Sequence, residues 1–198
     1  YKKKIESSET LKELKLKQFK YFLVSLHREE NIDSEKKFIN INDFLNSIAD
    51  KYNMPIIFST HPRTKKKIDD SGLTFNKLIR FIKPLGFSDY NNLQLNSKIV
   101  LSDSGTISEE SSILKFPALN IRESHERPEA MEEASVIMTG LETKNIMNAI
   151  EMYSVNNENQ KRDLKDVSDY LSDNVSEKVS KIILSYTGYI NRVVWRKY

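Results

Sequence analysis

Short apolar segments alternate with polar, amphipathic segments along most of the chain. Each apolar segment is continuous and rich in β-branched and aromatic residues, which is typical of a strand that is buried on both faces of a parallel sheet. We therefore predict strands at 21–26, 55–60, 78–83, 98–103, 117–122 and 135–140.

The segments between these strands have the spacing of helices. After the first strand, apolar residues recur every three or four positions and form one face of a helix: Phe38, Ile41, Leu45, Ile48 and Tyr52. Ser34 or Asp33 can cap this helix. We predict further helices at 64–70, 88–95, 106–115, 127–134, 143–153 and 158–169, and a closing helix that carries Val175, Val179, Ile182 and Ile183.

Strands that alternate with helices indicate an α/β protein with a parallel sheet covered on both faces. Right-handed crossovers make this a doubly wound, Rossmann-like domain, which we place at 21–170. Residues 1–20 are polar and predict a weak helix or a tether, which would be a connecting segment. Residues 171–198 predict a C-terminal helix with an aromatic tail, which we expect to pack on another surface.

Composition and charge exclude several classes of protein. The chain has 198 residues, about one domain, and 38% of them are hydrophobic, enough for an ordinary core. A net charge of +3 does not indicate nucleic-acid binding, and the basic residues 65–67 are typical of a solvated face. No cysteine is present, which excludes disulfides and thiolate catalysis. With no membrane-length apolar run and no secretory signal, we expect a cytoplasmic protein; the absence of an initial Met suggests a piece of a longer chain.

The loops that follow the predicted strands gather the residues that carry chemistry. Ligands bind outside the carboxyl ends of strands in such sheets. The loops there begin with HREEN at 27, HPRT at 61, PLGFSDY at 84, DSGT at 103 and ESHERPE at 123. They hold all three histidines together with Arg28, Arg63 and Arg127. This set of donors and cations favours an anionic ligand such as a diphosphate.

Known cofactor motifs are missing from these loops. The five glycines form neither a G-x-G-x-x-G sequence nor a Walker A sequence, so the NAD and P-loop interpretations fail. No two histidines have the helical spacing of metal ligands, and we expect neither a metal nor a cofactor.

The stretch DSGTISEE, residues 103–110, supports two interpretations. Thr106 as N-cap and Glu109 three residues later form a capping box, which is a purely structural feature. The loop can also bind phosphate through backbone N–H groups at the helix start. The capping box leaves Glu110 unexplained. Its carboxylate can accept hydrogen bonds from the two hydroxyls of a ribose, or it can be an exposed acid in the first turn.

Histidine and tyrosine side chains on the same rim also have two interpretations each. His27 follows a buried strand, where it can donate to a phosphate, transfer a proton or serve as a structural histidine. His61 precedes Pro62 and can stabilise a turn. His125 has charged neighbours, which favours the surface. Tyr90 can stack on a base or be a half-buried core residue.

Together these loops resemble the non-hydrolysing UDP-N-acetylglucosamine 2-epimerases. The matching words are SLHREEN, FSTHPRT, PLGFSDY, LSDSGTISEES and RESHERPEAMEEA, in this order, and the resemblance covers residues 21 to about 185. SDSGTISEE followed by ERPE is its most specific part. SDYLSDNVSEKV and the PLGF loop resemble most the branch that leads to UDP-N-acetyl-L-fucosamine for capsule or O-antigen.

The resemblance implies a fold, a reaction and residue roles. Family members have two Rossmann-like domains in the glycosyltransferase-B arrangement, and this chain resembles the second domain with its C-terminal helix. The reaction is inversion at C2 of a UDP-N-acetylhexosamine by elimination and re-addition of UDP. The partners implied are the UDP-sugar, the N-terminal domain and, at full length, further copies of the protein. The implied roles are His27 at the phosphates of the leaving bond, Ser104, Gly105 and Thr106 at the diphosphate, Glu110 at the ribose, Tyr90 near the uracil, Arg127 toward the sugar, and Arg28 with His61 at a second UDP-sugar site.

The chain departs from the family pattern at two places. Relatives often have Gly-Gly where this chain has Gly105-Thr106, and many have a GDG turn where it reads SDN at 172–174. Two other functions are compatible with the fold: a UDP-sugar-dependent glycosyltransferase and a flavodoxin-like binding module. The ERPE loop favours the epimerase over the first, and the missing acid pair of a receiver domain disfavours the second.

Overall fold

Six strands form one parallel sheet in the order β3-β2-β1-β4-β5-β6. The structure is a computed structural model and describes residues 1–124, 127–155 and 166–197. Each strand lies inside one of the predicted apolar runs, so the prediction of the sheet is confirmed. The strands are β1 Phe22–Ser25, β2 Ile56–Ser59, β3 Ile79–Ile82, β4 Ile99–Ser102, β5 Ala118–Asn120 and β6 Ile137–Met138.

Helices connect these strands much as the spacing predicts. They are α1 Lys2–Glu6, α2 Thr10–Glu13, α3 Glu29–Ile32, α4 Glu35–Tyr52, α5 Pro62–Asp70, α6 Phe87–Asn96, α7 Ile107–Leu114, α8 Pro128–Glu132, α9 Thr143–Val155 and α10 Val175–Val193. The helix predicted at 158–169 falls mostly outside the described residues, and Ser168–Leu171 is a short 3₁₀ turn. His125, predicted to be on the surface, also lies outside them.

Local residues explain where two helices begin. Ser34 caps α4, because its Oγ accepts a hydrogen bond from the Lys37 N–H at 3.4 Å. α5 begins two residues before the predicted start at 64. The reason is that Pro62 fits the first helical turn, while His61 takes the cap position in an extended conformation.

The core lies on both faces of the sheet. On β1, Phe22 and Val24 pack into one apolar cluster with Phe44 of α4. Leu23, the residue between them, packs into a second cluster with Leu93 of α6. Since successive side chains of a strand point to opposite faces, the two clusters are the two layers expected of a doubly wound sheet.

The first twenty residues pack on α6. Ile5 is buried, and its carbonyl oxygen accepts a hydrogen bond from Asn92 Nδ2 at 2.7 Å. The N–H of Phe19 donates to the carbonyl oxygen of Asn96 at 2.7 Å. The segment therefore forms two short helices that dock on the sheet domain, which decides between the two predicted forms in favour of helix.

Residues 168–198 form a second compact unit. Its helix α10 has a stripe of apolar side chains, and Ile182 and Ile183 are each 57% exposed. The prediction that this segment packs on another surface stays a prediction. In the described ranges, no helix is both long and apolar enough to cross a membrane.

The strand order reverses between β1 and β4. From β1 the chain builds outward to β2 and β3, and it then returns to the other side of β1 to build β4, β5 and β6. β1 and β4 are paired, with Ser25 opposite Ser102 at their carboxyl ends. In doubly wound sheets a crevice opens at this point, and ligands bind there.

Candidate functional site

Two loops meet at the carboxyl ends of β1 and β4. The loop after β1 carries His27 and Arg28, and the loop after β4 begins with Asp103. Asp103 is 0% exposed. Its carboxylate accepts hydrogen bonds from the backbone N–H groups of His27 at 3.1 Å and Arg28 at 3.0 Å, and from Asn31 Nδ2 at 3.1 Å. One buried carboxylate therefore shapes the loop that carries the candidate histidine.

Side chains of the first loop also bind Asp103. His27 Nδ1 lies 3.2 Å from Asp103 Oδ1, and Arg28 Nε donates to the Asp103 carbonyl oxygen at 2.9 Å. Sequence reasoning gave Asp103 no role of its own. The available signal was an acidic residue directly after a fully buried strand, where a carboxylate needs nearby donors.

These contacts shift the pKa values of His27 and Asp103 in the directions that favour their charged forms. The side-chain hydrogen bond with Asp103 raises the pKa of His27 above its ordinary value of 6.5, although desolvation and the charge of Arg28 oppose the rise. Burial alone would raise the pKa of Asp103. Hydrogen bonds from the His27 side chain and from the Arg28 and His27 N–H groups outweigh it, so the pKa is lowered.

Hydrogen bonds from backbone N–H groups to serine hydroxyls hold the loop after Asp103. The N–H of Ser104 donates to Ser102 Oγ at 3.1 Å, and the N–H of Thr106 donates to Ser104 Oγ at 3.3 Å. Gly105 lies at the open tip. A Cβ built on Gly105 would have no heavy atom of the described residues within 4 Å, beyond its chain neighbours, and the φ of Gly105 is not in the left-handed region. The fold therefore does not require glycine at this position.

The predicted capping box is wrong. Thr106 is the N-cap residue of α7, but its backbone is already helical, with φ −76° and ψ −7°. In the described part of the chain its side chain makes no capping hydrogen bond. An N-cap side chain reaches the first-turn N–H groups from an extended backbone, which Thr106 lacks. Instead Thr106 Oγ1 donates to Glu110 Oε1 at 2.8 Å.

Glu109 and Glu110 point to different partners. Glu109 Oε1 accepts a hydrogen bond from Arg127 Nε at 2.8 Å, which links the start of α8 to α7. Glu110 Oε2 accepts from Gln94 Nε2 of α6 at 2.6 Å. Gln94 was missed by sequence reasoning, since a buried glutamine inside a helix has no motif that reveals its partner.

Tyr90 of α6 faces the same crevice. Burial raises the pKa of its hydroxyl, the carboxylates of Glu110 and Asp103 raise the pKa further, and a hydrogen bond with Ser25 opposes them. The hydroxyl thus lies between the end of β1 and the first turn of α7. The predicted stacking of Tyr90 on a base stays a prediction.

His61 lies one strand away, after β2. Its Nδ1 accepts a hydrogen bond from the Arg63 N–H at 3.4 Å, which gives it a structural role as the cap of α5. The Arg63 guanidinium pairs with Glu29 and Asp33, so this loop reaches the segment that follows β1. The structure brings together His27, Arg28, Tyr90, Ser104, Gly105, Thr106 and Glu110, joins Arg127 to them through Glu109, and leaves His61 at the adjacent loop.

The chain matches a known protein family over most of its length. The family model of UDP-N-acetylglucosamine 2-epimerase matches residues 1–184. The chain belongs to this family. The resemblance predicted from the loop sequences is therefore confirmed.

Solved structures and curated relatives agree with the family model. A UDP-N-acetylglucosamine 2-epimerase from Rickettsia bellii has 41% identity and a TM-score of 0.80, over 99% of this chain and 52% of that protein. The Methanocaldococcus jannaschii UDP-GlcNAc 2-epimerase in complex with UDP-GlcNAc and UDP has 32% identity and a TM-score of 0.77, over 92% and 50%. A Methanococcus maripaludis UDP-N-acetylglucosamine 2-epimerase is 40% identical over 136 residues, 67% of this chain and 37% of the relative. The chain thus spans between 37% and 52% of the length of these relatives.

Proposed function

We propose that this chain is the UDP-binding half of a UDP-N-acetylhexosamine 2-epimerase. The observation that carries the proposal is the cluster at the β1–β4 switch point, where His27 paired with Asp103, the open Gly105 loop and the oriented Glu110 face one crevice. A crevice with cationic donors at one end and a fixed carboxylate at the other suits a nucleoside diphosphate. A relative of the same fold contains UDP-GlcNAc and UDP, which supports the proposal.

The diphosphate would lie against the loop 104–106. Its charge would face the N-terminus of α7, where backbone N–H groups and the helix dipole favour anions. His27 would contact the phosphates at the leaving bond, and Glu110 would accept hydrogen bonds from the ribose hydroxyls. The remaining roles are Tyr90 near the uracil, Arg127 toward the sugar, and Arg28 with His61 at a second UDP-sugar site.

The reaction would invert C2 of the sugar. The C2 proton leaves, UDP departs to give a glycal, and UDP returns after a proton is added to the opposite face. The departing diphosphate gains negative charge, which a protonated His27 and the start of α7 would stabilise in place. The groups that move the C2 proton would belong to the first domain of a two-domain, glycosyltransferase-B type protein.

Finer assignments stay predictions. They are the branch that leads to UDP-N-acetyl-L-fucosamine, the role in capsule or O-antigen synthesis, the cytoplasmic location, and a homo-oligomer at full length. The alternative of a UDP-sugar-dependent glycosyltransferase has no specific observation in its favour, since the matching family is one of epimerases.

Calorimetric titration with UDP tests the binding role. We expect saturable binding by the purified chain, and weaker binding of UMP because UMP lacks the second phosphate. The absence of saturable heat with UDP would overturn the proposal.

A second measurement tests the division of labour between domains. We expect no inversion at C2 when the purified chain is incubated with UDP-N-acetylglucosamine and followed by proton NMR. Inversion by this chain alone would show that its own residues move the C2 proton, contrary to the proposed role of the first domain.

A further inference from the structure

Asp103 has more donors around it than a loop anchor needs. Three donors hold the loop: the N–H groups of His27 and Arg28, and the Asn31 side chain. The fourth is the imidazole of His27, with Nδ1 3.2 Å from Oδ1. Asn31 is buried as well, so this end of the carboxylate is closed to solvent, whereas the His27 side chain is 53% exposed. The imidazole therefore bridges the buried carboxylate and the open rim.

The carboxylate of Asp103 determines which ring nitrogen of His27 carries a proton. An ionised carboxylate only accepts hydrogen bonds, and four donors around Asp103 keep it ionised. Nδ1 must therefore carry a proton whether the ring is neutral or charged. The nitrogen left for a ligand is Nε2, which accepts a hydrogen bond in the neutral ring and donates one in the imidazolium.

We propose that Asp103 is a positioning residue for His27, which holds Nδ1 as a donor to the buried carboxylate and presents Nε2 to the ligand in the crevice. This inference rests on the proposed function for the identity of the ligand, a UDP diphosphate. The state of the ring is a property of the free protein and can be measured without any ligand.

On balance, the charged groups around His27 favour its imidazolium form. Asp103 stabilises the imidazolium, and Arg28 opposes it across the same loop. The Arg28 Nε donates to the Asp103 carbonyl oxygen, and its guanidinium lies 3.8 Å from the carboxylate of Glu30. The Tyr90 hydroxyl is near Asp103 and stays neutral at physiological pH, because its pKa is raised. The net effect favours a positively charged donor at Nε2, which is what a diphosphate requires.

The ring state can be read from ¹⁵N chemical shifts of the histidines in the full chain, followed across the pH range in which imidazoles titrate. We expect neutral His27 to be the Nδ1–H tautomer, with a pKa above 6.5. His61 is an internal control in the same spectrum. Its Nδ1 accepts a hydrogen bond from Arg63, so its neutral form should be the opposite, Nε2–H tautomer. An Nε2–H tautomer at His27 overturns the inference.

The substitution Asp103→Asn tests the role directly. We expect the His27 pKa to fall, the Nδ1–H preference to disappear, and UDP affinity to decrease about tenfold, the effect of weakening one charge-assisted hydrogen bond. A folded variant with an unchanged His27 pKa and tautomer overturns the inference. If the variant does not fold, the wild-type tautomer decides.

The same data separate the two proposals. If UDP does not bind while His27 shows the Nδ1–H tautomer and raised pKa, the proposed function fails and the positioning role of Asp103 is supported. If UDP binds and the tautomer is Nε2–H, the proposed function stands and the positioning role fails. The variant Asn31→Ala, which removes a donor to Asp103 that does not face the ligand, should leave the tautomer unchanged.

Discussion

Gln94 Nε2 lies 2.6 Å from Glu110 Oε2 and joins a fully buried amide to a partly buried carboxylate at the rim. The amide comes from α6 and the carboxylate from α7, so the direction of the carboxylate depends on the packing of these two helices. Thr106 holds the other oxygen at 2.8 Å. Glu110 is therefore oriented in the free protein, before any ligand arrives.

Replacing the buried amide should weaken nucleotide binding without unfolding the chain. In Gln94→Met the volume is similar, and the Gln94 Oε1 that is lost is buried with no hydrogen-bond partner in the part of the chain that the structure describes. Water can replace the lost donor because Glu110 is only partly buried, so we expect stability to change by less than about 1 kcal/mol. UDP binding should weaken by roughly 0.5–1.5 kcal/mol. Calorimetry and thermal unfolding measure both, and an unchanged affinity in a folded variant would contradict the role of Gln94.

The adjacent acids Glu110 and Glu109 should differ in their effect on UDP. Glu110→Gln removes the charge that we propose accepts hydrogen bonds from the ribose hydroxyls. We expect UDP binding to weaken by about 1.5–3 kcal/mol, the range for hydrogen bonds to charged groups. Titration with UDP measures this loss. If Glu110→Gln binds UDP as tightly as the wild type, Glu110 is an ordinary first-turn acid.

Glu109→Gln is the matched control. It removes the same charge one residue earlier, but the Glu109 carboxylate is paired with Arg127, whereas Thr106 and Gln94 donate to Glu110. We expect nearly unchanged affinity for UDP. If Arg127 reaches the sugar, the same variant should change the affinity for UDP-N-acetylglucosamine more than that for UDP.

Adding a methyl group at Gly105 should weaken UDP binding without lowering the stability of the fold. In Gly105→Ala the new Cβ would meet no described heavy atom within 4 Å and the backbone needs no left-handed conformation, so stability should be unchanged or higher by about 0.4–1 kcal/mol. A diphosphate close to the backbone would meet the methyl group, and UDP affinity should fall. Gly188→Ala on α10, also in open space, is the control and should leave UDP affinity unaltered. Equal UDP affinities in the two variants would place the ligand elsewhere.

The interaction between Asp103 and His27 should make stability depend on pH within a window. The pKa of Asp103 is lowered in the folded protein. Its contribution to the free energy of unfolding is therefore present above pH 3.8, the ordinary pKa, and is lost as the pH falls through the lowered pKa. The pKa of His27 is raised in the folded protein. Its contribution to the free energy of unfolding is therefore complete below pH 6.5, the ordinary pKa, and is lost as the pH rises through the raised pKa.

Urea unfolding of wild type and Asp103→Asn at several pH values measures this window. We expect the variant to be less stable by about 1–3 kcal/mol inside it, since buried donors lose their acceptor. The difference should narrow at acid pH, where wild-type Asp103 is protonated, and also at alkaline pH, where the half-exposed His27 is neutral. Asp70→Asn, which removes an exposed charge at the end of α5, should follow the wild type. A constant difference at all pH values would contradict the prediction.

The sheet was predictable because its signal is local. Each strand is an uninterrupted apolar run, and the rule that ligands bind at the carboxyl ends of strands selected loops that the structure brings together at the ends of β1 and β4. Helix starts were less accurate, as at α5, where His61 and Pro62 extend the helix beyond its apolar pattern.

Contacts within the site could not be read from the sequence, because they join distant segments. Asp103 and the His27 N–H are 76 residues apart, and Glu109 and Arg127 are 18 apart. The capping box failed for a different reason. Thr106 and Glu109 fit a local motif, but each has a partner of its own that the motif does not include.

The carboxylate of Asp103 also affects the order in which this region opens and closes. The amide hydrogens of His27 and Arg28 lie in a loop, yet they are held by an acceptor that solvent does not reach and that follows β4. We expect these hydrogen bonds to open together with the β1–β4 pair, which would give the two amides protection similar to that of the central strands. We therefore expect the loop after β1 to belong to the slowest-exchanging cooperative unit of the domain.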